Sequence, residues 1–100
     1  MEVSEQKITE WKEEYGNVFV LRHPMQVVYY RALTRLDYIG IMQKQMSGIS
    51  AMDPELETVL TCILNDIPEK LFETIGGLAT VVYEQIMLNS GFMQIESEQL

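Results

Sequence analysis

The chain has 100 residues, 47% of them hydrophobic and 22% charged, with a formal net charge of −8, one cysteine and one histidine. That is enough apolar material for one domain with a modest core that needs no covalent staple. A lone Cys62 excludes an intramolecular disulfide and a cysteine metal cluster; among Val59, Leu60, Ile63 and Leu64 it reads as a small buried hydrophobe suited to a reducing cytosol. The charge is uneven, with five acids and five bases in residues 1–35 and ten acids against two lysines in residues 36–100. Such a field disfavours binding to a phosphate backbone, so no nucleic-acid partner is expected. No apolar run approaches the roughly 20 residues of a membrane span, and the first residues lack the basic and apolar regions of a signal peptide, so a soluble protein with no membrane partner is expected.

In chain order, Ser4 is a helix cap, and Ile8, Trp11 and Tyr15 fall on one stripe of a helix that Gly16-Asn17 stops. Residues 18–22 and 26–30 are rich in β-branched and aromatic side chains and flank a connection containing His23 and Pro24, which predicts an antiparallel hairpin. Two strands alone are marginal in water, so the hairpin must pack on helices. Arg22, Arg31 and Arg35 cluster around it as pairing sites for acids.

Thr34 caps a second helix running to about Met46, with Asp37 in a variant of the capping box. Leu36 and Ile39, together with Met42 or Met46, are expected to face inward. Residues 47–52 break the pattern and read as a loop. Asp53-Pro54-Glu55 is a strong start signal, and Leu56, Val59, Leu60, Ile63 and Leu64 give the third helix a wide apolar stripe that Asn65-Asp66 and Pro68 close. Residues 68–73 suit a short helical turn, and Gly76-Gly77 allows a bend before a last helix over 78–89. Ser90-Gly91 stops it and lets Phe92 fold back, while the tail over 93–100 has little to bury and is expected to fray. The fold class expected is therefore α+β, mostly α: an N-terminal helix and a short hairpin against three to four helices, in one compact domain over 1–92.

Motifs that carry chemistry are not found. Gly76-Gly77 before a helix has no lysine at Walker spacing and reads as a bend. Asp53, Glu55 and Glu57 alternate as calcium-loop ligands do, yet Pro54 and the apolar helix after it fit a capped start better. The carboxylate pairs Glu13-Glu14, Glu55/Glu57 and Glu69/Glu73 read as charges on solvated helix faces rather than acid/base couples, so no enzyme, cofactor or metal is expected. Seven methionines are a different signal, because flexible thioethers suit surfaces that accept varied apolar partners. Met42, Met46, Met87 and Phe92, with Tyr83 at the edge, are the candidate partner-binding residues.

Four blocks carry a family resemblance: Trp-Lys-x-x-Tyr-Gly-x-Val-Phe over 11–19, Tyr-Arg-Ala-Leu-Thr-Arg-x-Asp-Tyr over 30–38, Leu-x-Cys-Ile-Leu over 60–64 and Ser-Gly-Phe over 90–92. Their order, across roughly residues 7–92, resembles the small tail assembly chaperone proteins of tailed bacteriophages. Residues 64–69, Leu-Asn-Asp-Ile-Pro-Glu, and Gly76-Gly77 depart from that pattern. The resemblance implies a non-catalytic protein of the host cytoplasm that holds a tape-measure or other tail protein during morphogenesis, and it leaves a homo-oligomer open. Two alternatives stand beside it: a small structural component of the tail or baseplate, retained in the virion, and an acidic inhibitor that uses the carboxylates of residues 53–73 against a basic host protein.

Overall fold

The computed structural model describes residues 3–48, 52–92 and 97–100. It consists of α1 (Glu5–Tyr15), β1 (Phe19–Arg22), β2 (Val27–Tyr30), α2 (Arg35–Ser47), α3 (Pro54–Cys62), α4 (Glu69–Thr74) and α5 (Leu78–Asn89). This is the α+β, mostly α architecture that the sequence predicts. Local chemistry places the helix starts. The hydroxyl of Ser4 accepts from Lys7 N at 3.2 Å, Thr34 and Asp37 form a complete capping box, and Asp53 accepts from Leu56 N at 2.8 Å ahead of Pro54. Gly16 ends α1 with φ of 81°, a left-handed conformation that glycine adopts without steric cost.

The antiparallel strands pair Phe19 with Tyr30 and Leu21 with Val28, turning these four side chains to one face. That face meets the main core, where Val28, Val59, Cys62, Leu78, Val82 and Ile86 are fully buried. Each aliphatic side chain buried in this way stabilises the fold by roughly 1.5–3 kcal/mol. Tyr29 points to the opposite face and packs on Trp11 of α1, ring centroids 5.9 Å apart. The marginal hairpin is thus covered on both sides.

Helix α3 ends at Cys62, two residues short of the stripe expected through Leu64. Ile63 is extended (φ −67°, ψ 143°) and bridges to Tyr30, because the chain here exchanges a further helical turn for the free edge of β2. Arg31 N donates to Cys62 O at 3.0 Å and Leu64 N to Tyr29 O at 2.8 Å. The Asn65 amide continues this pseudo-strand with its side chain, accepting from Tyr29 N at 2.8 Å and donating to Val27 O at 3.0 Å. These bonds outweigh the one or two helical bonds forgone.

The link from β2 to α2 is where the fold is tied together. Its four successive backbone N–H groups each find an acceptor on a different segment: Arg31 on Cys62 O, Ala32 on the Asn17 side chain (2.8 Å), Leu33 on Ser90 Oγ (2.7 Å) and Thr34 on the Asp37 carboxylate (3.1 Å). The Arg31 guanidinium adds a 2.7 Å bond to Asp37 and a 3.2 Å bond to Thr61 O, and lies 5.4 Å from the Tyr15 ring. Residues from all four blocks that carry the resemblance therefore meet at one place.

That knot sets the rotation of α2 and corrects the sequence reading of its inward face. Asp37 is turned to the body by Arg31, so Tyr38, Ile41 and Gln45 follow it inward, and Ile41 is the buried apolar residue. Leu36 is 82% exposed, Met46 83%, Met42 42% and Ile39 37%; none of them is core. Glu55 and Glu57 also differ from the solvated face expected for them. Glu55 is half-buried and accepts from Thr80 Oγ1 of α5. Glu57 is buried, accepting from Gln45 Nε2 at 3.0 Å and lying 3.4 Å from Lys44 Nζ, so its carboxylate joins α3 to α2. The expected loop over 47–52 falls partly on 49–51, outside the described residues; Ser47 is the last residue of α2 and Gly48 its cap. Of the tail expected to fray, 93–96 lie outside the described residues, and 97–100 are exposed without helix or strand.

Candidate functional site

The outward side of α2 is the surface that the core does not use. At 100° per residue, Ile39, Met42 and Met46 fall within about one sixth of the helix circumference, with Leu36 one step further round. All four are exposed, although α2 packs its other side on α3. From Tyr38 to Met46 the strip runs about 12 Å along the helix axis.

Phe92 reaches this strip through the end of α5. Gly91 takes φ of 90°, Phe92 N donates to Met87 O at 2.9 Å and Gly91 N to Leu88 O at 3.3 Å, the paired bonds of a Schellman motif. The reversed chain carries the Phe92 ring to 4.9 Å from that of Tyr38, leaving it 40% exposed. Ser90 locks the junction by donating to Ile86 O at 2.5 Å while accepting from Leu33 N. Phe92, Tyr38, Met42 and Met46 so form one line, each helical member a turn beyond the last.

Of the five candidate residues, Met42 and Met46 lie on this exposed strip, and Phe92 joins it across Tyr38. Met87 and Tyr83 stand one turn apart on α5, both half-buried against the core cluster rather than on the exposed strip. Leu36 and Ile39 are exposed members that the sequence reading assigned to the interior. Taking Asp37, the capping residue with an arginine to pair, as the inward reference would have found them. In charge the strip is distinct from the rest of the chain: Arg35 lies 5.5 Å from the Tyr38 ring, and the one acid of α2, Asp37, is paired inward with Arg31.

Around the β2–α2 link, described polar groups bond to one another. A cleft of about 460 Å³ lined by Glu14, Tyr15, Asn17, Arg31, Thr34 and Asp37 follows the seam around the β2–α2 link, where Arg31 and Asp37 bond to one another. Burial pushes the Asp37 carboxyl up, but the hydrogen bonds from Arg31 and Thr34 prevail and hold it below its ordinary value. Cys62 is fully buried, and desolvation pushes its thiol up to about 11 against a smaller opposing effect of Arg31, so the nucleophilic thiolate is strongly disfavoured. His23 sits in the hairpin connection, its Nδ1 accepting from Met25 N at 3.0 Å. Among the described residues there is no group of three or more His, Cys, Asp or Glu placed to hold a metal ion, and no helix long and apolar enough to cross a membrane.

Fold and surface together define a small, mostly helical domain that presents one apolar, methionine-bearing helix face. No protein-family model, no curated protein and no solved structure matches the chain.

Proposed function

We propose that this protein is a non-catalytic assembly chaperone of a tailed bacteriophage, acting in the host cytoplasm by holding an apolar helical stripe of a tape-measure or other tail protein until assembly. The observation that carries the proposal is the exposed line of Ile39, Met42 and Met46 on α2, extended by Phe92. A helix with an apolar stripe fits such a face, and methionine adapts to stripes of different shape. The net charge of −8 supports the same reading, since it keeps copies of a protein with an exposed apolar surface from associating indiscriminately. The resemblance of the four sequence blocks gives the partner its identity.

The test is purification of the tagged protein from cells producing the phage, with mass spectrometry of what accompanies it and of finished particles. Recovery of a long helical tail protein with the chaperone, and its absence from particles, is the expected result. Stoichiometric retention in particles would make the protein a structural component instead. Met42→Glu combined with Met46→Glu should weaken capture by at least about tenfold. Both side chains are exposed, so stability should change by no more than about 0.5 kcal/mol per site. Full capture by the double variant would refute the surface.

A further inference from the structure

The outward side of α2 carries a finer pattern than exposure alone. Leu36, Ile39, Gln43 and Met46 follow one another at steps of three, four and three residues. At 100° per residue they share about 80° of the helix circumference, centred opposite the buried Ile41, and all four are exposed. That is the spacing of a coiled-coil seam, with Leu36 and Gln43 in a positions and Ile39 and Met46 in d positions. Arg35 and Met42 flank it as g positions, Gly40 and Ser47 as e positions. A helix of this length gains little from such a seam by itself, so a partner helix has to supply the other side.

Neither the backbone nor the packing of the chain calls for glycine at position 40. It sits in the middle of α2 without the positive φ that Gly16, Gly48 and Gly91 adopt, and a Cβ added to it would meet nothing within 4 Å. Glycine there costs the helix stability relative to almost any other residue. What it does is keep one flank of the seam low, so that a second helix can approach at the short end of the usual range of about 8–10 Å between axes. On the other flank Arg35 is exposed beside the Tyr38 ring and, among the described residues, pairs with no carboxylate.

We propose that the outward face of α2 receives a heptad-patterned helix of another protein, laid antiparallel, with a carboxylate near its C-terminal end set against Arg35. This rests on the docking role proposed above for the face, and it names what that role selects. The apolar a and d side chains of the partner interlock with Leu36, Ile39 and Met46, and its backbone passes close over Gly40. Gln43 fixes the register, because an amide inside the seam requires a polar group opposite it. The antiparallel sense follows from the helix ends, since the N-terminus of α2, with Arg35 on it, then faces the negative C-terminal end of the arriving helix. A second copy of this chain does not match. Its α2 carries one acid, Asp37, bound inward to Arg31, so two copies would bring two Arg35 groups and no free carboxylate to the seam.

The test is fluorescence anisotropy of labelled three-heptad peptides titrated with the full chain at about 0.15 M salt, where distant charges are screened. The probe has Leu at a and d, Asn at the central a position, Glu at e and g of its last heptad, Gln at the other e and g positions and Ala elsewhere. At about 50 nM it is too dilute to pair with itself, and dissociation from the chain at about 10–100 μM is expected for so small a face. The same composition with Leu moved off the heptad should bind at least about tenfold more weakly. Gly40→Gln, which adds bulk without charge or apolar gain, should raise the melting temperature by about 2–5 °C yet weaken binding at least about fivefold. Arg35→Glu should weaken binding about fivefold, and a probe with Lys in place of its Glu residues should recover it. Should Gly40→Gln lose its circular dichroism, the rearranged peptide and the charge exchange decide alone. Equal binding of the heptad and rearranged peptides, unchanged affinity in a folded Gly40→Gln, or no recovery on charge exchange would each overturn the proposal. So would dimerisation of the chain alone that Met46→Glu abolishes, which would give the face to a second copy. Binding of the probe without recovery of a tail protein from phage-producing cells would leave this selection standing and remove the phage reading; capture of a tail protein with no binding of the probe would do the reverse.

Discussion

Asn65→Ala isolates the device that closes the β2 edge. The carboxamide accepts from Tyr29 N at 2.8 Å and donates to Val27 O at 3.0 Å, substituting for a strand that the chain does not supply. Alanine removes both bonds. Tyr29 is only 6% exposed, so its N–H is left without water and costs about 1–3 kcal/mol. Val27 O keeps its 2.8 Å bond from Gln26 Nε2, so its loss is nearer 0.5 kcal/mol, roughly the low end for a hydrogen bond. The sum is about 1.5–3.5 kcal/mol, which for a domain of this size lowers the melting temperature by about 6–28 °C. Urea unfolding at constant slope measures it, with Asp66→Ala as an exposed neighbouring control. Asn65→Asp should fall between, because the carboxylate still receives Tyr29 N but faces the Val27 carbonyl, and it should recover stability on mild acidification. An alanine variant within about 0.5 kcal/mol of wild type, no more than an ordinary surface substitution, would show that the pseudo-strand does not hold the edge.

Two further expectations concern titrating groups. Asp37 has its carboxyl held below the ordinary value on folding, so it contributes stability above the unfolded value near pH 4 that is lost as the pH falls through the lower folded value. Asp37→Asn should reduce overall stability and flatten the acid limb between about pH 5 and the folded value, in urea titrations at stepped pH; an unchanged acid limb would contradict the Arg31–Asp37 knot. Cys62 has its thiol raised to about 11, so its contribution is intact below about pH 8.5 and is lost as the pH climbs to about 11. At pH 8 the native thiol should react with a disulfide reagent at least about a hundredfold more slowly than in denaturant, and equal rates would mean that the site is open.

The caps were readable because each is a bond closed within a few residues. Ser4, the Thr34–Asp37 box and Asp53-Pro54 start their helices, and Gly16 and Gly91 end theirs, by conformations that depend on the residue in place and its near neighbours. The fold-back of Phe92 was readable for the same reason. The hairpin followed from β-branched and aromatic runs on either side of Pro24. Of the candidate site, Met42, Met46 and Phe92 were named from composition and position, while Leu36 and Ile39 were taken for core because their hydrophobicity says nothing about which way the helix is turned.

By itself, then, the sequence determined the order of helices and strands and where the capped helices begin, because capping and turn chemistry act over one turn of chain. Tertiary structure decided which way α2 faces, where α3 gives way to extended chain, and that Glu57 is buried. The Arg31–Asp37 pair, the Asn65 amide 36 residues from Tyr29 and the Ser90 hydroxyl 57 residues from Leu33 made those decisions. Such bonds form only once distant segments have been brought together. The exposed strip on α2 is their by-product: when Asp37 is drawn in, the methionines turn out.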